Sequence, residues 1–261
     1  TKSETRELVN VYAQLAKQLG VTTQEVVNGA TEWLRQGYTV QESQKLVTAS
    51  VYLSKLGMIE SGQATEYLTS VLKGFKLETS EAVSVVDKLT KVDLEAATSA
   101  GNIAEALSRT SVSAQNVGVD LDRLIGYVTE VLQVTQKSAS SVGESFKTIF
   151  ARYQNVKASA FKSMDLSEEA AETTEGINDI ERVLNKVGIK IRTSSKEFAS
   201  FDSILAQLAE NWIKYSSVEK AAISTAIAGT RQRENFLVLM ENYNEAMDIA
   251  ATSTASAGTA E

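Results

Sequence analysis

The 261-residue chain lacks the residue types on which most enzyme and metal chemistry depends. It contains no histidine and no cysteine, which excludes imidazole and thiolate metal sites, Ser-His-Asp and Cys-His nucleophiles, and disulfides. It has no glycine-rich phosphate loop, neither GxxxxGK followed by serine or threonine nor GxGxxG. The segment Asp120-Leu121-Asp122 is only a fragment of a calcium loop and fits a helix cap better. The sequence therefore predicts no metal, no cofactor and no catalytic residues, and we expect a protein that is not an enzyme.

Two patterns leave other chemistry open. Aspartate and glutamate number 33 together, so a carboxylate-dependent enzyme stays as an alternative; it predicts a deep pocket that holds a carboxyl group with a raised pKa. The second pattern is Gly229-Thr230-Arg231-Gln232-Arg233, with two arginines where a glycine meets a helix. Arg231 and Arg233 could contact an anion or the carboxylates of a partner. The alternative is that they bridge to acidic residues of neighbouring helices.

Charge and hydropathy limit the possible partners. The formal net charge is −7 and the pI about 5.0, which argues against a duplex-DNA binder because such a protein needs a basic face. In the last third the longest apolar run is Phe236–Met240, far short of the roughly 20 residues of a membrane span. The chain starts at Thr1 and its last residues are mostly Ala, Ser, Thr and Gly, so we expect a piece of a longer protein, without a nucleic-acid motif or a membrane segment of its own.

The elements that must position any site are predicted to be helices. The chain has no proline, which favours long uninterrupted helices, and period-two strand patterns are almost absent. A hydroxyl stands three residues before a glutamate, as in a capping box, at Thr22–Glu25, Thr39–Glu42 and Ser216–Glu219. Helix ends with a left-handed glycine cap are predicted at Gly20, Gly37, Gly57, Gly118, Gly188 and Gly229. The fold class is therefore all-α, a multi-helix array or bundle of antiparallel helices, with at most one short extended segment near 188–192.

Helical stripes of apolar residues predict the core. They are Leu121, Leu124, Ile125, Val128 and Leu132; Phe146, Ile149, Phe150 and Tyr153; Leu205, Leu208, Ala209, Trp212 and Ile213; and Phe236, Met240, Tyr243 and Met247. A pattern of glycine, apolar residue and helix cap recurs at Gly20 and Gly118, and more loosely at Gly37. Its uneven spacing suggests helical hairpins without predicting a solenoid.

Three parts are predicted along the chain: an N-terminal helical part, 1–78, a central helical core, 79–176, and a C-terminal helical part, 177–261. The softest boundaries are expected around Gly176 and Thr193–Ser195. Asp165–Glu181 holds seven carboxylates and no Lys or Arg, so it predicts a solvated acidic helix or connector, with a binding patch as the alternative.

The stretch Ala221–Phe236 (AAISTAIAGTRQRENF), followed by Leu239–Tyr243 (LMENY), resembles the core region of phage tail tape measure proteins of the lactococcal-phage type. Similar to the same family are Thr148–Lys157, Leu184–Arg192 and Val119–Leu132, and less distinctively Leu19–Thr22 and Glu32–Gly37. The resemblance covers nearly the whole chain and is strongest from about residue 80 onward. Its motifs are structural, so it indicates a family without indicating a reactive site.

The resemblance implies a structural protein of a phage or prophage tail. A tape measure protein runs inside the tail tube of the virion, sets tail length during assembly, and leaves through the tip when DNA is ejected. Implied partners are the tail tube protein, tail assembly chaperones and tail-tip proteins, and self-association is possible. The helix stops and caps predict a folded multi-helix domain instead of one extended rod. The alternative function is a helical adaptor or interaction module without catalytic activity.

Overall fold

The computed structural model describes residues 2–163, 179–194 and 197–260, and helices dominate these ranges. Two 3₁₀ turns, Thr79–Glu81 and Trp212–Lys214, accompany the helices. Within these ranges the α-helices number twelve: α1 (Lys2–Leu19), α2 (Thr23–Arg35), α3 (Val40–Leu56), α4 (Ser61–Phe75), α5 (Ala82–Asp93), α6 (Ala100–Asn116), α7 (Leu121–Thr135), α8 (Ala139–Ser163), α9 (Asp179–Lys186), α10 (Phe201–Asn211), α11 (Ser217–Glu241) and α12 (Tyr243–Thr254). In the described part of the chain the only β pairing is an isolated antiparallel bridge between Arg192 and Phe198. The all-α prediction is confirmed.

Helix starts follow the local signals in the sequence. All three predicted capping boxes form, before α2, α3 and α11, each with reciprocal side-chain and backbone hydrogen bonds. Among the predicted glycine stops, Gly57 differs, because its φ is −80° and the next residue, Met58, takes the left-handed conformation with a φ of 50°. Gly57 instead lies against the backbone of Gly101, where a Cβ would come within 2.9 Å of the Gly101 nitrogen. Because Gly57 has no side chain, its segment can lie close to the segment that contains Gly101.

The first eight helices form a repeated hairpin. Helices α2, α4, α6 and α8 begin at Thr23, Ser61, Ala100 and Ala139, which are 38, 39 and 39 residues apart. Helix α4 packs on α6 and α6 packs on α8, while α1 packs on α3 and α3 on α5, so even and odd helices form two layers. The regular repeat is clearer in the structure than in the sequence, where only some of the turns carry the glycine pattern.

The last helix completes the odd layer. Helix α12 lies between α5 and α7 and contacts both. It approaches α7 at Gly126, where a Cβ would come within 2.1 Å of the carbonyl oxygen of Ala246. Only a glycine permits two helix backbones to meet at this separation. Helix α11 packs on α7 and α8, and α9 packs on α11.

The core is one buried cluster that draws residues from both layers and from the C-terminal helices. Of the predicted stripes, those of α7 and α8 are buried, whereas Ile213 is 89% exposed. Helix α10 ends at Asn211, and Trp212–Lys214 continue as a 3₁₀ turn. Because a 3₁₀ turn has three residues per turn, the 3.6-residue period no longer holds and Ile213 faces solvent.

Some predictions fall where the structure is not described. Outside the described residues lie most of the predicted acidic segment (165–178), the boundary predicted at Gly176, and Ser195. The extended segment predicted near 188–192 is described. There the backbone oxygen of Ile191 accepts a hydrogen bond from the nitrogen of Ala199, at 2.9 Å.

Candidate functional site

The predicted contact residues Arg231 and Arg233 lie just after a break in α11. At Gly229 the backbone has φ 71° and ψ 169°, a conformation essentially restricted to glycine. The break divides α11 into a half before Gly229 and a half after it. Both arginines are exposed at the start of the second half. They are two positions apart, so their side chains leave the helix in different directions.

Another arginine stabilises the break. Arg152 of α8 is half-buried, and its guanidinium donates hydrogen bonds to the carbonyl oxygens of Ala226 (2.9 Å) and Ile227 (3.2 Å). These carbonyls belong to the last turn of α11 before the break at Gly229. A cation at a helix C-terminus also interacts favourably with the helix dipole. Arg152 therefore caps a helix to which it does not belong.

Neither Arg231 nor Arg233 forms an ion pair or side-chain hydrogen bond with another described residue. Lys137, which follows α7, contacts the neighbouring part of the same helix half, with Nζ 2.8 Å from Glu234 Oε2 and 2.9 Å from Asn235 Oδ1. These bonds hold the second half of α11 against the C-terminal end of α7. The two arginines are left free to contact something outside the described chain.

Sequence reasoning missed a buried polar cluster between α7 and α10. Asp202 is 8% exposed. One carboxylate oxygen accepts a hydrogen bond from the Tyr127 hydroxyl at 2.8 Å, and the other lies 3.8 Å from Arg123 Nε. Burial, and to a smaller extent the charge of Asp120, raises the pKa of Asp202 to about 6, although the Tyr127 hydrogen bond and Arg123 favour the charged form. Burial and the neighbouring Asp202 charge raise the pKa of Tyr127 well above its usual value, so the phenol stays neutral and donates.

A raised carboxyl pKa was the sign expected of a carboxylate-dependent enzyme, but Asp202 lines none of the pockets described below. It lies in the core between two helices. The sequence offers no local indication of the cluster, because Tyr127 and Asp202 are separated by 75 residues. Its chemistry is that of a buried structural contact.

A second buried carboxylate holds the end of the chain. Asp87 of α5 is 5% exposed, and it accepts hydrogen bonds from the backbone nitrogens of Gly258 (2.9 Å) and Ala260 (2.8 Å). Nearby, Asp122 accepts a hydrogen bond from Ser253 at 2.5 Å and pairs with Lys88 at 2.6 Å. These contacts fix α12 in its place between α5 and α7.

A groove of about 780 Å³ lies between α2 and α4. Its lining is polar, with hydroxyls and the side chains of Glu25, Glu32, Arg35 and Glu66. Arg35 is already paired with Glu32 at 2.9 Å. Two smaller pockets, of about 340 and 210 Å³, lie beside Arg192 and between α5, α7 and α12.

The described ranges contain neither a cluster of metal-ligating side chains nor a helix that could span a membrane. There, no three acidic side chains come close enough to hold a metal ion. Nor does any helix in the same ranges combine the length and the apolar character needed to cross a membrane.

Comparison with known protein families gives a match over most of the chain. The family model described as "Phage-related minor tail protein" matches residues 12–229 of the chain, a range that runs from within α1 to the break in α11. No solved structure matches the chain.

Proposed function

The chain belongs to the phage-related minor tail protein family and is thus a phage tail protein, and from this premise we propose that it is a folded part of a tape measure protein. Such a protein sets tail length during assembly and is released through the tip when DNA is ejected. We place it inside the tail tube, in contact with tube, chaperone and tip proteins, and acting without catalysis. The observation that supports the proposal is the family match over residues 12–229, together with the tape measure resemblance of Ala221–Phe236.

The lengths of the helices indicate how this part of a tape measure protein would act. A continuous helix of 261 residues would be about 390 Å long at about 1.5 Å per residue. The longest described helices have 25 residues, or about 38 Å by the same rise, and they pack side by side. In the folded state the chain therefore does not measure length by its contour, and its role in assembly is that of a folded unit.

The experiment separates folding from chain length. Gly126→Val in the parent gene leaves the number of residues unchanged but forces α12 away from α7, because a Cβ there would overlap Ala246 O. Gly62→Ala is the matched control, since no atom lies within 4 Å of a Cβ at that position. Tails are imaged and measured by negative-stain electron microscopy.

We expect few or no complete tails with Gly126→Val and normal tails with Gly62→Ala. An in-frame deletion of the segment should likewise abolish tails. Tails shortened in that deletion by about 390 Å, the length of the extended helix, would mean that the segment acts as an extended ruler. Normal tails that still eject DNA after the deletion would contradict the proposed function.

A further inference from the structure

The layer of even-numbered helices is open between α2 and α4. Glycines bring its later members close together, since a Cβ at Gly74 of α4 would lie 2.5 Å from the Cβ of Ser111 on α6, and one at Gly143 of α8 would lie 2.7 Å from the carbonyl oxygen of Ala106. Helix α2 contacts α4 only lightly, while α3 packs on both. The groove of about 780 Å³ occupies this opening, and its volume is typical of a binding site.

The hydroxyls that line the groove are hydrogen-bond acceptors for anything bound in it. Four of them donate to the backbone oxygen four residues earlier in the same helix: those of Thr31, Thr65, Thr69 and Ser70. A hydroxyl has one proton to donate and two lone pairs that accept. With the proton already used, these oxygens suit an occupant that carries donors.

The groove also carries more negative than positive charge. Three carboxylates line it, those of Glu25, Glu32 and Glu66, and among the described lining residues Arg35 is the cation that opposes them. Arg35 is paired with Glu32 at 2.9 Å. Neither Glu25 nor Glu66 forms an ion pair with another described residue. The excess charge therefore favours a cationic occupant.

The carboxylates on α2 are spaced for a second helix. Glu25 and Glu32 are seven residues apart, which is close to two turns, so they lie on one face of α2 about 10 Å apart along its axis. Lys73 reaches the C-terminal end of α2, where its Nζ donates a hydrogen bond to Gln36 Oε1 at 2.9 Å. An occupant therefore meets acidic groups over two turns of α2 before it reaches this cation.

We propose that the groove binds a helix of another protein whose lysines or arginines lie along one face, with a spacing of seven residues. Such a helix would lie between α2 and α4 and bring its cationic groups to Glu25 and Glu32. A helix laid into a groove is a common mode of recognition, and hydrogen bonds from a cation to a carboxylate are among the stronger ones. The inference goes beyond the proposed function and does not depend on it.

The first experiment uses an alanine-based, fluorescently labelled peptide of about 15 residues, long enough to form a helix, with lysines at i, i+4, i+7 and i+11. The control peptide has the same composition, with its lysines spread around the helix. Fluorescence anisotropy with the full chain should show that the first peptide binds and that its binding weakens with added salt, because exposed charges are screened. The control should bind about fivefold more weakly, as is typical when exposed ion pairs are lost.

A matched pair of variants tests whether the peptide lies in the groove. Gln24 and Asn28 of α2 are both exposed and share a hydrogen bond of 2.7 Å, but of the two only Asn28 lines the groove. Asn28→Phe and Gln24→Phe therefore lose the same hydrogen bond and add the same ring. Asn28→Phe should weaken peptide binding by about tenfold, because the ring would clash with the bound helix, whereas Gln24→Phe should bind like the wild type.

A second pair tests the charge of the groove at constant net charge. Glu32→Gln with Glu66→Gln should weaken binding by about fivefold. Glu210→Gln with Glu241→Gln removes two exposed carboxylates outside the groove and should leave binding unchanged. Circular dichroism of every variant checks that the helices remain folded.

Three results would overturn the proposal: no binding of the lysine-faced peptide with protein in the millimolar range, equal binding of the two peptides, or equal effects of the variants inside and outside the groove. Equal binding of the lysine-faced peptide after a central proline breaks its helix would also overturn it, and would assign the groove to an extended basic segment instead.

Discussion

Asp202 is a carboxylate that the fold buries beside a phenol, and its ionisation therefore acts against stability. Its pKa is about 6 in the folded protein, against an ordinary value of 3.8. Between these values the folded state binds the proton and the unfolded state does not, so the free energy of unfolding falls as pH rises through this window. A difference of about two pKa units corresponds to about 3 kcal/mol.

The comparison with Asp202→Asn measures this effect, because an amide can still accept the Tyr127 hydrogen bond but cannot ionise. From pH 4 to pH 7 the wild type should lose up to about 3 kcal/mol relative to the variant, measured by urea unfolding at each pH. Glu210→Gln, at an exposed carboxylate, should leave the wild-type profile unchanged. Parallel profiles for the wild type and Asp202→Asn would show that Asp202 does not titrate in this range.

At the scale of the element, the local sequence predicted more than the contacts between elements. The capping boxes at Thr22, Thr39 and Ser216 could be predicted because both partners are three residues apart. The exposure of Ile213 could not, since it depends on where α10 changes to a 3₁₀ turn. The Tyr127–Asp202 hydrogen bond could not be predicted either, because its partners are 75 residues apart. The same is true of the hydrogen bonds between Asp87 and the chain end, whose partners are more than 170 residues apart.

The contact between α7 and α12 depends on Gly126. In Gly126→Val the two helix backbones must separate, because a Cβ would lie 2.1 Å from Ala246 O. We expect a loss of about 3 kcal/mol in the free energy of unfolding, at the upper end for an overpacked core. In Gly62→Ala, where no neighbouring atom interferes, the change should be within about 1 kcal/mol and stabilising. Urea titrations followed by circular dichroism compare them; equal stabilities would mean that α12 does not pack here.

The packing of the chain end against α5 depends on Asp87. Asp87→Ala removes the acceptor of two backbone N–H groups, those of Gly258 and Ala260. Hydrogen bonds to a charged group contribute about 1.5–3 kcal/mol each, so the variant should lose about 3 kcal/mol. Hydrogen exchange followed by mass spectrometry should show faster exchange in 255–260 than in the wild type, with α2 unchanged. Unchanged exchange at the chain end would show that Asp87 does not hold it.

At the scale of the whole molecule, the sequence predicted an antiparallel helical array, and the structure adds its order. Two layers grow by hairpins 38 or 39 residues apart, and α12 enters the odd layer from the far end of the chain. No local pattern indicates that insertion, because α12 is paired with α5 and α7 only by tertiary packing. The division into 1–78, 79–176 and 177–261 stays a prediction, and one buried cluster runs through residues of all three parts.

That cluster predicts cooperative unfolding, and the two tryptophans of the chain can test it. Trp33 is fully buried in α2, and Trp212 is 5% exposed after α10, so each reports on a different part of the chain. In Trp33→Phe and Trp212→Phe, the fluorescence of the remaining tryptophan is followed in urea together with the circular dichroism of the whole chain. If the core unfolds as a unit, fluorescence and circular dichroism share one midpoint within each variant, as two-state behaviour requires. A different midpoint for the fluorescence of Trp212 in Trp33→Phe would instead show that the C-terminal part is an independent domain. The contacts of α12 with α5 and α7 would then be too weak to make the C-terminal part unfold together with the rest of the chain.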